Sequence, residues 1–347
     1  MKTKIINVGK VKVGGGNPVS IQTMWDKPIK EVTTELITQL NDIESAGCDI
    51  IRFALPTLDD VKIIGDISKK ITMPVVADIH YDYKIALECM DYPISKIRIN
   101  PGNIGAQWKI EEVVQKAKDK GIPLRIGING GSLPTDLREE KDIATALVKS
   151  AERQMALLDS LNFSNFLVSL KASNIDDAYN ANKQFSLKYD NPLHLGITEA
   201  GSLVPAVVKS SIFLYKVLSE GIGDTVRISI SDDPLKEIYA ANQILSALKL
   251  NKRDRVELIS CPKCGRASFD THEFNKLVHK KLSTLNKNIS VAIMGCTVNG
   301  PEEARHADLG ITGSGNTILI FKKGEIIRKV SKEEALDAFL EEVDKYE

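Results

Sequence analysis

The apolar positions of the chain follow a rhythm: a short continuous apolar run, then a longer stretch in which apolar residues recur every three or four positions. Runs at residues 19–22, 50–53, 75–79, 96–99, 122–126, 166–170, 193–197 and 225–230 are too short for helices and do not alternate with polar residues. Such runs predict strands buried on both faces, hence a parallel sheet with helices outside it. The intervening stretches, among them 33–46, 107–120, 137–158, 175–187, 204–220 and 235–248, carry the helical period. Eight strand–helix units predict a (β/α)8 TIM barrel, which suits roughly 250 residues. An open doubly wound sheet is the rival. It is weakened because no predicted strand runs into a Gly-x-Gly-x-x-Gly turn; Gly127-Ile128-Asn129-Gly130-Gly131 follows a strand but lacks that spacing. Ahead of the barrel, residues 4–13 alternate and meet Gly14-Gly15-Gly16, which predicts a hairpin plugging the larger body.

The pattern changes at the polar, charged segment 249–255. It reads as a linker, dividing a barrel domain for substrate (1–250) from a second domain (251–347). Beyond it, strands are expected at 256–260 and 289–294, a hairpin at 317–321 and 325–329 turning through Lys323-Gly324, and helices at 267–285 and 333–346. That is a small α/β domain.

Composition narrows the function. The 347 residues are 43% hydrophobic, enough for a large core. With 46 basic and 46 acidic residues the net charge is zero, so bulk charge gives no support for nucleic-acid or membrane-surface binding. No apolar run would span a bilayer, and the N-terminus lacks the pattern of a secretion signal. Five cysteines, with Cys48 and Cys89 isolated in expected helices and packed in the core, do not make a disulfide framework. A cytoplasmic protein with reduced thiols is expected.

Two stretches carry chemistry. The first is Cys261-Pro262-Lys263-Cys264 with Gly295-Cys296-Thr297-Val298-Asn299-Gly300-Pro301-Glu302-Glu303. A Cys-x-x-Cys turn suits zinc, an iron–sulfur cluster or a redox disulfide. The distant third thiol, Cys296, at the end of a predicted strand, favours a metal over a redox pair. No fourth cysteine follows, leaving Glu302, Glu303 or His306 to complete the set. Three thiolates and an oxygen would leave one iron of a [4Fe–4S] cluster within reach of a substrate; a structural zinc site remains the alternative.

The second stretch is spread over the barrel. Arg52, Asp78, His80, Arg98, Asn100, Arg125, Asn129, Lys171, Glu199, Arg227 and Ser229 all fall at or just past the C-terminal ends of predicted strands. In a TIM barrel that is the active-site face. Four arginines and a lysine meeting there would repel one another unless an anion sat among them, and the guanidinium fork suits phosphate oxygens. Glu199 is expected as the lone acid among the cations, held charged by them yet able to donate a proton when water is excluded. His194, inside an apolar run, is expected as a packed core residue, and His272 and His279 as helix-surface residues.

These segments together resemble the bacterial 4-hydroxy-3-methylbut-2-enyl diphosphate synthases of the non-mevalonate isoprenoid pathway. The resemblance covers nearly the whole chain. It is carried by Ala77-Asp78-Ile79-His80, by 96–103 (KIRINPGN), Arg125-Ile126-Gly127-Ile128-Asn129, Leu170-Lys171-Ala172-Ser173, 196–201 (GITEAG), 260–266 (SCPKCGR) and 295–301 (GCTVNGP). It implies a barrel joined to a [4Fe–4S] domain, a homodimer, and a reaction that reductively opens a methylerythritol cyclodiphosphate, loses a hydroxyl as water and takes two electrons from flavodoxin or ferredoxin. It implies cluster ligands Cys261, Cys264, Cys296 and Glu303. Diphosphate contacts would come from Arg52, Arg98, Arg125, Lys171, Arg227 and Ser229, the proton-handling carboxylate would be Glu199, and Asp78, His80, Asn100 and Asn129 would fill further pocket positions. Two details depart from the family's usual pattern: Pro301-Glu302-Glu303 stands for Pro-Gly-Glu, and Asn129-Gly130-Gly131 for Asn-Ala-Gly. The residues alone also admit a different phosphate-handling barrel, such as a pterin-synthase relative with a zinc-stabilised tail, or an iron–sulfur sensor that binds a phosphorylated ligand without turning it over.

Overall fold

A computed structural model of the protein describes residues 2–250, 256–285 and 287–346; the side chains of residues 101, 102, 280, 283, 284, 299 and 303 lie outside that description. The chain forms two compact units, Met1–Asn251 and Lys252–Glu347.

The first unit opens with an antiparallel pair, β1 (Ile6–Val8) and β2 (Val11–Val13). Eight parallel strands follow: β3 (Ser20–Met24), β4 (Ile50–Ala54), β5 (Val75–Asp78), β6 (Lys96–Ile99), β7 (Leu124–Asn129), β8 (Phe166–Lys171), β9 (His194–Leu195) and β10 (Thr225–Val226). They run β8-β7-β6-β5-β4-β3-β10-β9, and a bridge from Val168 to Leu193 joins the two ends into a ring. Each strand leads into at least one helix, and one large apolar core fills the space between ring and helices. Helix starts follow local chemistry: Thr33, Asp142 and Asn174 each accept a hydrogen bond from a backbone N–H of the following turn. No described helix is long and apolar enough to cross a membrane.

The hairpin does plug the barrel. Ile6, Val8 and Val13 form a separate buried cluster with Ile50, Val76 and Leu167, residues near the N-terminal ends of their strands. Two expectations need correction. The last two strands are far shorter than expected, because the backbone at Gly196 approaches so closely that a Cβ there would lie 2.5 Å from the Arg227 carbonyl oxygen. Helices Asp59–Ser68 and Tyr83–Cys89 complete two of the eight strand–helix units, the second carrying Cys89 as expected. Cys48 is not helical: it follows the helix ending at Ser45 and is buried, its thiol donating to the Ile50 carbonyl. Cys89 ends its helix, also buried.

The second unit is a five-stranded sheet in the order β11 (Glu257–Ser260), β12 (Ser290–Met294), β13 (Leu309–Ser314), β14 (Thr317–Lys322), β15 (Glu325–Val330). The first three strands are parallel and the last two antiparallel. Helices Thr271–Thr284 and Ala335–Asp344 pack Phe274, Val278, Phe339 and Val343 against Val291, Ile293 and Ile311. Ala292, Met294 and Phe321 belong to a second small cluster with Ala304, Ala307 and the partly buried Cys261. One face of the sheet thus carries the helices and the other this smaller cluster. Strand β13 escaped the sequence pattern because glycines interrupt it. Gly310 and Gly313 are required there: a Cβ would strike the Phe321 ring at 2.1 Å and the Phe269 side chain at 2.5 Å. The helix expected from 267 starts at Thr271, because residues 267 and 268 are held in the cysteine loop by backbone hydrogen bonds to Cys264 and Gly295.

Candidate active site and cysteine loops

The parallel register sets the charged residues side by side. Arg52 pairs with Met24, Arg98 with both Asp78 and Arg125, and Lys171 with Asn129. Their side chains line a cavity of about 290 Å³ together with His80, Ser169, Thr198, Arg227 and Ser229. Nine of the expected residues therefore converge: Arg52, Asp78, His80, Arg98, Arg125, Asn129, Lys171, Arg227 and Ser229.

The cations are unusually dry. Arg52, Arg98, Arg125 and Lys171 are all at least nine-tenths buried. Burial, partly offset by Asp78, lowers the Arg52 guanidinium to about 10. Burial and the neighbouring Arg52 and Arg98 press against the charge of Arg125, and burial followed by Arg125 and Arg52 lowers Lys171 well below the usual lysine range. An arginine does not readily yield its proton, so an anion entering the cavity would relieve this pressure. Several donors await one: Arg98 Nε and Arg125 Nε and Nη1 are buried without a partner among the described residues.

Glu199 is not the lone acid among the cations. Asp78 accepts from Arg98 Nη1 at 2.9 Å and lies 3.5 Å from Arg52 Nε. Burial pushes its carboxyl up, but Arg52, Arg98 and Arg125 outweigh that and hold it below the usual carboxylate range. Glu237, which was not singled out, grips Arg227 through both carboxylate oxygens, at 3.1 and 3.2 Å, and accepts from Thr23 and the Ile230 N–H. It lies on helix Pro234–Ala247, and a buried acid on an outer helix carries no strand-end signal. Met24 was also missed: its sulfur accepts from Arg52 Nη2 at 2.8 Å. Histidine 80 adds its Nε2 3.1 Å from Arg98 Nη1. Two expected residues stand outside the lining: Asn100 is buried at the start of the short turn Pro101–Ile104, and Glu199 is exposed with a left-handed backbone, φ +53°.

In the second unit, two loops bring the sulfurs to one end of the sheet. The loop after β11 carries Cys261 and Cys264; the loop after β12 carries Cys296 and the π-helical turn Asn299–Glu303. They are fastened together: Ser268 N–H donates to the Gly295 carbonyl, and Gly295 N–H donates to Cys261 Sγ at 3.1 Å. A Cβ at Gly295 would lie 3.1 Å from that of Ala267. Cys296 is buried, Cys261 half-buried and Cys264 exposed. Glu302 and His306 are exposed, and the Glu303 side chain lies outside the described residues. Among the described residues, no three histidine, cysteine, aspartate or glutamate side chains are gathered closely enough to hold a metal ion. The donor set is nonetheless thiol-rich, which suits an iron–sulfur cluster or zinc. His272 and His279 lie on helix Thr271–Thr284, and His194 is fully buried in β9.

Residues 3–242 match the GcpE TIM-barrel domain and residues 257–345 the GcpE protein C-terminal domain. The chain belongs to the GcpE family. GcpE relatives of similar length include a protein of Clostridium tetani, 45% identical over 340 residues, with 97% of each chain covered. Another, of Treponema denticola, is 42% identical over 368 residues, covering 97% of this chain and 95% of the relative. Both bear the name 4-hydroxy-3-methylbut-2-en-1-yl diphosphate synthase (flavodoxin). Among solved structures, the GcpE barrel is similar to dihydropteroate synthase of Thermus thermophilus, with a TM-score of 0.52, 13% identity and 71% of this chain covered. At that identity the likeness concerns the fold alone.

Proposed function

We propose that this GcpE-family protein is an oxidoreductase. It opens the ring of 2-C-methyl-D-erythritol 2,4-cyclodiphosphate and removes a hydroxyl as water to give 4-hydroxy-3-methylbut-2-enyl diphosphate. The single observation that carries this reading is the dry cation cavity: Arg52, Arg98, Arg125 and Lys171 are buried around one space with Asp78 as the one carboxylate in its lining. A cyclic diphosphate brings two negative charges to a site where four buried cations face one carboxylate. Arg98 and Arg125, with their unpartnered N–H groups, take the phosphate oxygens. Arg227 is held in place by Glu237, and Ser229 and Asn129 hydrogen-bond the same groups from the rim. Fixing the ring and excluding water around it lowers the barrier to breaking its C–O bond. Glu199, exposed beside the lining residue Thr198, gives a proton to the departing hydroxyl so that it leaves as water.

Cys261, Cys264 and Cys296, with Glu303, would hold a [4Fe–4S] cluster. When bound, the cluster passes on the two electrons that the ring opening consumes, taken from reduced flavodoxin or ferredoxin. The hydrogen bond from Gly295 N–H to Cys261 Sγ ties the two cysteine loops together at that position. The enzyme acts in the cytoplasm, as a homodimer. Anaerobic purification tests the reading. A brown protein with iron and labile sulfide that turns over the cyclodiphosphate with reduced flavodoxin is expected; a colourless zinc protein without turnover would overturn it.

A further inference from the structure

Lys96 lies on β6 two residues before Arg98, so its side chain enters the barrel on the same face, one layer beneath the cavity. It is fully buried. Its hydrogen-bond partner among the described residues is neutral, Gln22 Oε1 at 3.3 Å. The strands around it offer no counter-charge. Val76 stands beside it in register on β5, Arg52 and Arg125 reach toward it from β4 and β7, and His194 shares the interior from β9. The carboxylate of Asp78, above, is taken up by Arg98 and Arg52.

A lysine stripped of water and faced by cations and an amide is pushed toward its neutral form, because its charged form has lost hydration with nothing in exchange. Burial, then Arg125 and Arg52, lowers it well below the ordinary lysine range. Further buried groups on the barrel strands lack partners among the described residues: Gln22 Nε2, both ring nitrogens of His194 and the Thr225 hydroxyl. An ordinary barrel floor is apolar, whereas this one can accept charge when an anion arrives above it.

We propose that Lys96 is a further charge-supplying residue of the diphosphate site: a cyclic diphosphate entering the cavity draws one proton from solvent onto the Lys96 amine, so that binding is coupled to proton uptake in the barrel floor. The coupling rests on the functional reading above and adds to it a residue that does not touch the ligand. Its sign follows from linkage. The lysine is more basic in the complex than in the free protein. Affinity is therefore greatest below the free-state value and falls, about tenfold per pH unit, as pH rises toward the value in the complex.

The test is titration calorimetry of the anaerobic holoenzyme with 2-C-methyl-D-erythritol 2,4-cyclodiphosphate, without reductant, in two buffers of different ionisation enthalpy. The phosphates of this ring hold no proton near neutral pH, so any proton taken up lands on the protein. Expected are net uptake by the wild type, about one proton less in Lys96→Met, and a flatter dependence of affinity on pH in that variant. Lys96→Arg, which keeps a permanent charge, should lose the same proton while still binding at alkaline pH; it serves if the methionine variant fails to fold. Zero uptake by a wild type that binds overturns the coupling. Equal uptake by wild type and Lys96→Met overturns it too, placing the proton on Lys171 or His194. Absence of binding at any pH overturns the functional reading, and the coupling with it.

Discussion

Asp78→Asn separates a scaffold role from a ligand role at the centre of the cavity. The carboxylate is 3% exposed, 2.9 Å from Arg98 Nη1 and 3.5 Å from Arg52 Nε. Asparagine keeps the shape and removes the charge, leaving Arg52, Arg98 and Arg125 facing one another without an anion. Losing one partner of a buried ion pair costs about 3–5 kcal/mol. In a domain of this size about 1 kcal/mol corresponds to about 2–4 °C, so the ligand-free barrel should melt roughly 6–20 °C lower. Cyclodiphosphate should restore more stability to the variant than to the wild type, because the ring replaces the missing charge. At saturation a hundredfold above Kd the wild type gains about 2.7 kcal/mol. The acid limb gives a second check. The folded carboxyl titrates below its ordinary value. Its contribution is therefore present above about pH 4 and lost as pH falls through the folded value. The variant should lack that loss. Differential scanning fluorimetry from neutral to acid pH, with and without ligand, reads all of this. A melting temperature within 2 °C of wild type and an unchanged acid limb would refute the reasoning.

Four further outcomes follow from the same geometry. Gly127→Ala places a Cβ 2.8 Å from Arg98 Nε; the arginine is displaced, so cyclodiphosphate affinity falls about tenfold, about 1.4 kcal/mol, and the melting temperature falls as the Arg98–Asp78 pair is disturbed. Glu237→Gln loosens Arg227, and steady-state kinetics should show KM rising about tenfold with kcat little altered. Glu199→Gln should lower kcat by about 10²–10⁴-fold and leave ligand affinity, read by calorimetry, unchanged. Cys264→Ser should abolish the visible spectrum and the iron content while the barrel retains its melting transition.

The barrel was legible because its strands are continuous apolar runs, a pattern that burial on both faces imposes and little else produces. The cation set was legible for the same reason: an arginine such as Arg98 or Arg125 at the end of an apolar run stands out against it. What escaped was held by contacts between distant segments. Glu237 reads as one more polar residue of an amphipathic helix, and only the fold turns it inward onto Arg227. Strand β13 was hidden by the glycines that make room for Phe321 and Phe269. Strands β9 and β10 looked longer than they are, because apolar composition does not register where the Gly196 backbone crowds Arg227. Lys96 was legible as a strand residue, but its burial without a counter-ion depends on what stands across the barrel.

The apolar hairpin at the N-terminal end has an electrostatic consequence. Ile6, Val8 and Val13 seal the base of the barrel with hydrocarbon. Field lines from the arginines therefore find no water to screen them below and emerge through the mouth. A polar or missing plug would let that potential leak away in both directions. A greasy strand pair that never meets the ligand thus works as a reflector, widening the capture radius for dianions approaching from solution.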